Sequence, residues 1–206
     1  MSLEEALNRA VDGDSGALEV LIQAYEGKVY SFAYHLTGNA DDARDLSQEV
    51  LLRVISSIKN FRGDCPFSSW VFKIANNVFI DKLRRKARLK FFSLDDTEPG
   101  RDSKPFVDPV SVESDPCDLV QRRELRTMVE QALMQVQPRY RVLLVMHDVH
   151  EMKYKEIAEA LGCPVGTVKS RLNRARMALR MKLMEAGYVQ TDVRPKASLH
   201  RMEALA

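Results

Sequence analysis

Apolar residues in this chain recur with the three-and-four spacing that places them on one face of an α-helix. One such stripe runs from Leu18 to Leu36, and a second runs from Ala43 to Ile58. The same spacing returns after Phe67, after Leu125 and again beyond Tyr154. No segment alternates apolar and polar residues as a half-buried β-strand does. The sequence therefore predicts an all-α fold.

The ends of several predicted helices are marked by residues that stop or start a helix. Gly38 is expected to end the first long helix, and Asn39 to cap the next one, with two acids in its first turn. The turn at residues 61–66 contains Gly63 and Pro66, which interrupt helical pairing. A further helix is predicted from about Phe67 to residue 90.

Near the C-terminus, two short apolar stripes are separated only by Gly162 and Cys163. The predicted inward residues are Ile157, Ala158, Leu161, Val165, Val168, Leu172, Ala175 and Leu179. Glycine ends a helix at low steric cost, and Pro164 suits the first position of the following helix. This pattern is typical of a helix-turn-helix, whose second helix enters the major groove of DNA.

The second helix of this pattern is cationic, with six basic residues and no acid between Lys169 and Lys182. Base-reading positions lie in its N-terminal half, and cations beside them bind phosphates. The residues predicted to bind DNA here are Thr167, Lys169, Ser170, Arg171, Asn173, Arg174 and Arg176. Arg180 and Lys182 are predicted to lie nearer the DNA backbone.

Charge divides the chain into segments. Residues 82–90 carry six cations and no acid, whereas residues 92–118 carry eight acids, two cations and several prolines. The second segment lacks helical period and is predicted to be a flexible acidic linker over residues 91–118. We therefore expect two small helical domains, at residues 1–90 and 119–186, followed by a tail at 187–206 to which no role is assigned.

Composition argues against several other classes of protein. The three cysteines lack the spacing of a zinc site, and no apolar run is long enough to span a membrane. His147, Asp148 and His150 could resemble metal ligands, but His147 fits an apolar helix stripe. There is no phosphate-binding glycine loop and no nucleophile motif. We expect a cytoplasmic protein that is not an enzyme and binds neither metal nor cofactor.

Three segments resemble one family. Tyr154–Arg176 resembles the promoter-reading C-terminal domain of extracytoplasmic-function (ECF) sigma factors, in the sigma-70 superfamily. Ala40–Val50 is similar to the segment of that family that docks on the clamp of RNA polymerase. Phe61–Asn77 is similar to the segment that binds and opens the minus-ten promoter element. The resemblance covers most of residues 17–183 in the order of the family.

The resemblance implies a sigma factor that binds core RNA polymerase through the clamp and flap of its large subunits. It directs the enzyme to promoters, promotes DNA melting, and answers to an anti-sigma factor in a stress or envelope response. The residues implied for polymerase binding are Asp41, Asp42, Asp45, Gln48 and Glu49. Those implied for the minus-ten region are Arg62, Asp64, Trp70, Lys73, Asn76, Asn77, Lys82, Arg84 and Arg85. The resemblance also implies that Phe72 neighbours this second set, and that Lys86 and Arg88 bind upstream phosphates.

This chain departs from the family pattern at Glu151 and Lys153, where members usually have glycine and a capping serine. A left-handed conformation at Glu151 would cost about 1 kcal/mol. The alternative to a sigma factor is a helix-turn-helix repressor or activator whose N-terminal half senses a ligand. Such proteins usually bind a palindrome as dimers, and no dimerisation heptad is evident here.

Overall fold

A computed structural model describes the backbone of residues 1–92 and 116–187, and the side chains of residues 1–88 and 124–187. Within those ranges every regular element is helical, which confirms the all-α prediction. The chain divides into two compact units. The first contains helices α1 (Leu3–Val11), α2 (Ser15–Thr37), α3 (Ala40–Ser57) and α4 (Phe67–Phe92).

The junction between α2 and α3 has the predicted caps. Gly38 ends α2 in the left-handed conformation, with a φ of 75°, and its N–H donates to the carbonyl oxygen of Tyr34. The side chain of Asn39 then caps α3, because its oxygen accepts from the N–H of Asp42 at 2.8 Å. Its amide nitrogen donates to the Asp42 carboxylate at 2.9 Å. These contacts confirm the predicted boundary.

The core of the first unit is formed where α2 and α3 pack together, with α4 against both. Phe32 and Leu36 of α2 are fully buried, as are Leu46 and Val50 of α3. Helix α1 was not predicted. It is capped by Ser2 and buries Ala6 and Ala10, while Leu7 and Val11 are half-buried. The three-and-four spacing of these four residues was the signal available in the sequence.

The second unit contains α5 (Pro116–Gln135), α6 (Pro138–Leu144) and α8 (Val165–Glu185), with residues 154–158 of α7 (Tyr154–Leu161). Helix α8 packs against α5 and α6. Helix α5 begins inside the stretch predicted as a linker. Most of that stretch, at residues 93–115, lies outside the described residues, as does the tail at 188–206.

Two details of the second unit differ from the sequence prediction. Pro164 is the N-cap of α8 rather than its first residue, with a ψ of 145°. Val165 therefore stands in the open first turn and is exposed, although it was expected to face inward. The helix expected through His147 instead changes from α to π geometry over Val145–Val149. Such a π-turn leaves no mark in the apolar spacing.

The turn after this π-helical segment holds Glu151 in the left-handed conformation, with a φ of 52°. We expect Glu151→Gly to raise the free energy of unfolding by up to about 1 kcal/mol, because glycine has no Cβ to clash with the backbone. Urea unfolding at an unchanged m-value measures this.

Gly162→Ala is the matched control for this prediction. Gly162 has a φ of 62°, and an added Cβ would meet no atom within 4 Å, so its cost is conformational. We expect this variant to lose about 1 kcal/mol. A loss of stability in Glu151→Gly would contradict the prediction, and would show that the glutamate side chain contributes more than its backbone strain costs.

Candidate nucleic-acid interface

Helix α8 is held by a buried apolar spine. Val168, Leu172, Ala175 and Leu179 are spaced by four, three and four residues, and all are buried. The same spacing turns the polar residues of the N-terminal half outward. The exposed residues predicted to bind DNA are Lys169, Ser170, Arg171, Asn173 and Arg174. Thr167 is half-buried, and its carbonyl oxygen accepts from the Ser170 hydroxyl at 3.0 Å.

Arg176 of α8 is already paired within the protein with a carboxylate that is almost fully buried. Its Nη2 donates to Oδ1 of Asp148 at 2.6 Å. The hydrogen bond that Arg176 donates to Asp148 raises the pKa of Arg176 above its ordinary value. Its guanidinium therefore faces Asp148 in the second unit.

The N-terminal unit brings aromatic rings together beside the turn at residues 61–66. The ring centroid of Phe61 lies 5.4 Å from that of Trp70, and Phe67 lies 5.6 Å from Trp70. Tyr25 of α2 meets Phe67 edge-on at 5.0 Å. We call Tyr25, Phe61, Phe67 and Trp70 the ring cluster. Trp70 is half-buried, so it belongs to this packing and still reaches the surface.

The turn itself exposes Arg62 and Asp64, on either side of Gly63, whose φ is 76°. Phe72 does not belong to this surface. It is buried, with its ring centroid 5.0 Å from that of Phe32, so the suggestion that it neighbours DNA is wrong. Helical spacing alone could not show that this aromatic residue faces the core.

Helix α4 carries a polar face that continues from the turn. Lys73, Asn77, Arg84 and Arg88 are spaced by four, seven and four residues, which aligns them along the helix, and all four are exposed. We call them the α4 polar face. Arg85 is also exposed, and Asn76 is half-buried. The face thus places an amide between cations, an arrangement that can contact both bases and phosphates.

Ion pairs connect the C-terminal half of α4 with α3. Glu49 lies 2.8 Å from Arg53 and 3.8 Å from Lys82. Arg53 also lies 3.6 Å from Asp81. Glu49 was predicted to bind polymerase and Lys82 to bind DNA. In the structure these two side chains lie next to each other. Both are about one-third exposed, so each can still meet a partner from solvent.

The other four residues of α3 predicted to bind polymerase are exposed: Asp41, Asp42, Asp45 and Gln48. Two exposed apolar residues that continue this surface along α3 were not predicted from the sequence. Leu52 and Ile55 are 65% and 42% exposed. Asp41, Asp45, Gln48, Leu52 and Ile55 follow each other at intervals of four, three, four and three residues, and we call them the α3 stripe. That spacing was a partial signal in the sequence, because it aligns Leu52 and Ile55 with the polar residues but does not show that they are exposed.

The proposed metal ligands have other contacts. Nδ1 of His147 donates to the carbonyl oxygen of Met152 at 2.9 Å, and Asp148 pairs with Arg176. Across the described residues, no three histidine, cysteine, aspartate or glutamate side chains gather as a metal site. In the same part of the chain, no helix is both long and apolar enough to cross a membrane.

Comparison with known proteins assigns a class to both units. Residues 21–89 match the family model of Sigma-70 region 2, and residues 126–179 match that of Sigma-70, region 4. These regions define a transcription initiation factor of RNA polymerase. The first match contains the α3 stripe, the ring cluster and α4 as far as residue 89, and the second contains α7 and α8 as far as residue 179.

Comparison with individual proteins identifies the family within this class of transcription initiation factors. The chain is 31% identical to the ECF RNA polymerase sigma factor SigW of Bacillus subtilis, over 90% of this chain and 98% of that protein. It therefore belongs to the family of ECF RNA polymerase sigma factors. Its partners as a sigma factor are core RNA polymerase and promoter DNA.

Solved structures share the fold. The sigma factor RpoE of Bartonella quintana, in complex with the anti-sigma factor NepR, superposes with a TM-score of 0.64 at 22% identity, covering 81% of this chain and 96% of that one. CnrH, in complex with the cytosolic domain of CnrY, superposes with a TM-score of 0.58 at 23% identity, covering 88% and 96%.

Proposed function

We propose that the two units divide promoter recognition between them, in the domains predicted at residues 1–90 and 119–186. The first binds the clamp of core polymerase and the minus-ten element, and the second reads the minus-thirty-five element. The observation that carries this proposal is α8, whose apolar spine is buried while the N-terminal half presents hydroxyl, amide and cationic groups outward. Such a helix fits the major groove.

In the second unit, Lys169, Ser170, Asn173 and Arg174 are proposed to meet base edges. Arginine and lysine suit the acceptors of guanine, and asparagine suits adenine. Arg171 is proposed to bind phosphate, since it is exposed beside these residues. Thr167 lies one turn earlier, where a hydroxyl at the N-terminus of a helix can also meet the DNA backbone.

In the first unit, the α4 polar face and the ring cluster are proposed to capture an unpaired base of the minus-ten element. A flipped base gains stacking on an aromatic ring and hydrogen bonds on its edge. Trp70 offers a ring at the surface, and Asn77 an exposed amide. Arg84 and Arg85 would hold phosphates upstream. Capturing the unpaired state lowers the free energy of the open duplex, so the chain promotes DNA melting.

The α3 stripe is proposed to be the clamp-binding surface. Its first half is acidic or polar and its second half apolar, so it can offer both charge and buried area to one partner. The flap of the large catalytic subunits is proposed as the partner of the second unit. We propose that the chain works in the cytoplasm with polymerase and performs no catalysis of its own.

An anti-sigma factor is proposed as the regulator. Two structural neighbours were solved as complexes: the sigma factor RpoE with the anti-sigma factor NepR, and CnrH with the cytosolic domain of CnrY. An inhibitor that covers the α3 stripe would exclude polymerase directly. This fits a stress or envelope response in which the sigma factor is released when the inhibitor is removed.

Run-off transcription with purified core polymerase tests the proposed function. We expect specific transcripts from a library of promoter fragments only when the chain is added. Arg174→Ala should remove transcripts that depend on the minus-thirty-five element. If the chain binds DNA but never redirects core polymerase, a repressor or activator role would replace this proposal.

A further inference from the structure

Arg176 lies at the centre of a small cluster in the second unit. Its guanidinium pairs with Asp148 at 2.6 Å, and the Asp148 side chain is only 7% exposed. Tyr154 belongs to the same cluster and contacts a second cation of α8. The Tyr154 ring in turn lies under Lys169, with Nζ 5.9 Å from the ring centroid, and against the ring of His147 at 4.8 Å.

Two contacts in this cluster connect α8 to the preceding part of the chain: Arg176 with Asp148, and Lys169 with Tyr154. Lys169 and Arg176 are seven residues apart, which is two helical turns, so both lie on nearly the same side of α8. Asp148 belongs to the π-helical turn, and Tyr154 is the first residue of α7. A carboxylate so removed from water requires its counter-charge, and the pair therefore holds Arg176 in one orientation.

We propose that Asp148 and Tyr154 are positioning residues for promoter reading, acting through Arg176 and Lys169 to set the rotation and depth of α8 in the groove. Arg176 is then not a phosphate contact, unlike Arg171. This inference rests on the proposed reading of the minus-thirty-five element by α8, and it names residues that do not themselves touch DNA.

Positioning and phosphate binding have different experimental signatures. Base readout depends on hydrogen-bond geometry, so a loosened α8 discriminates less between promoter sequences. Each lost phosphate contact instead lowers the slope of log affinity against log salt by about 1 and weakens all sequences alike. The two roles of Arg176 can therefore be separated by measuring sequence preference and salt dependence on the same variants.

The experiment measures binding of holoenzyme, assembled from core polymerase and the full chain, to a promoter and to its minus-thirty-five substitutions at several salt concentrations. Asp148→Asn and Arg176→Gln should each lower the preference for the correct element about tenfold, the scale of one lost base contact. The salt slope should not change. The double variant should resemble either single variant, because both remove the same interaction.

Three comparison variants make the outcome specific. Arg171→Gln should lower the salt slope by about 1. Glu185→Gln breaks an exposed ion pair on the same helix, with Lys182 at 2.6 Å, and should leave both quantities unchanged. Tyr154→Leu removes the ring that lies under Lys169 and should also lower the preference, and it carries the test if circular dichroism shows that Asp148→Asn unfolds the second unit.

A salt slope that falls by about 1 in Arg176→Gln, with an unchanged preference in Asp148→Asn and Tyr154→Leu, would overturn the proposal and make Arg176 a phosphate contact. Arg174→Ala serves as the reference for the proposed function. If Arg174→Ala also left the sequence preference unchanged, the reading role of α8 would itself be wrong, and the positioning proposal with it.

Discussion

Leu52→Asp is expected to weaken binding to core polymerase by about 30-fold or more, the effect of losing one interface hot spot. Leu52 is the most exposed large apolar residue among the described residues of the first unit, and it is the first of the two apolar residues of the α3 stripe. A charge placed there would be buried without a partner when the clamp binds. Since the side chain is 65% exposed in the free protein, the fold should tolerate the change.

Val20→Asp is the matched control, because Val20 is also an exposed apolar residue of the first unit but lies on α2, away from the stripe. Titration of labelled chain with core polymerase measures both affinities. Ile55→Asp should behave like Leu52→Asp. Asp45→Asn should have a smaller effect that disappears at high salt, as expected for a rim charge. Equal affinities for the Leu52 and Val20 variants would place the clamp contact elsewhere.

The polar half of this stripe could be predicted from the sequence, whereas its apolar half could not be separated from the core. Asp45 and Gln48 lie off the buried spine of α3, and helical spacing is enough to place them outside. Leu52 and Ile55 are apolar, so the same spacing leaves open which of the apolar residues face solvent. Only the packing of α2 and α4 against α3 decides this.

The helix ends that were predicted correctly are those that depend on neighbouring residues alone. Gly38 and Asn39 act within one turn of their own positions, so local chemistry sets the boundary between α2 and α3. The partner of Arg176 could not be predicted in this way. Asp148 is 28 residues away in sequence, and only the tertiary structure shows that this cation is occupied.

The cations of α4 also differ in a way that only the tertiary structure shows. Lys82 and Arg84 belong to one basic run, and the sequence treats them alike. The structure turns Lys82 toward Glu49, whereas Arg84 is largely exposed on the α4 polar face, with Asp81 at 3.8 Å. An exposed ion pair of that length is worth little, so Arg84 can exchange it for a phosphate at small cost. Net charge along the chain therefore overstates the number of cations that face DNA.

Asn77→Ala is expected to reduce promoter opening about tenfold to hundredfold while leaving affinity for core polymerase unchanged. The exposed amide lies between Lys73 and Arg84 on the α4 polar face, where it can bond to the edge of an unpaired base. Loss of such a base contact costs about 1–3 kcal/mol. Permanganate reactivity of unpaired thymines in the minus-ten element measures the fraction of open promoter.

The control for this variant is Asn8→Ala, which removes an exposed asparagine side chain from α1. On a promoter whose minus-ten base pairs are mismatched, part of the unpairing is already complete, so the deficit of Asn77→Ala should become smaller. If instead the variant opened the matched promoter as well as the parent chain, the base-capturing amide would have to be sought elsewhere on α4, with the half-buried Asn76 as the next candidate.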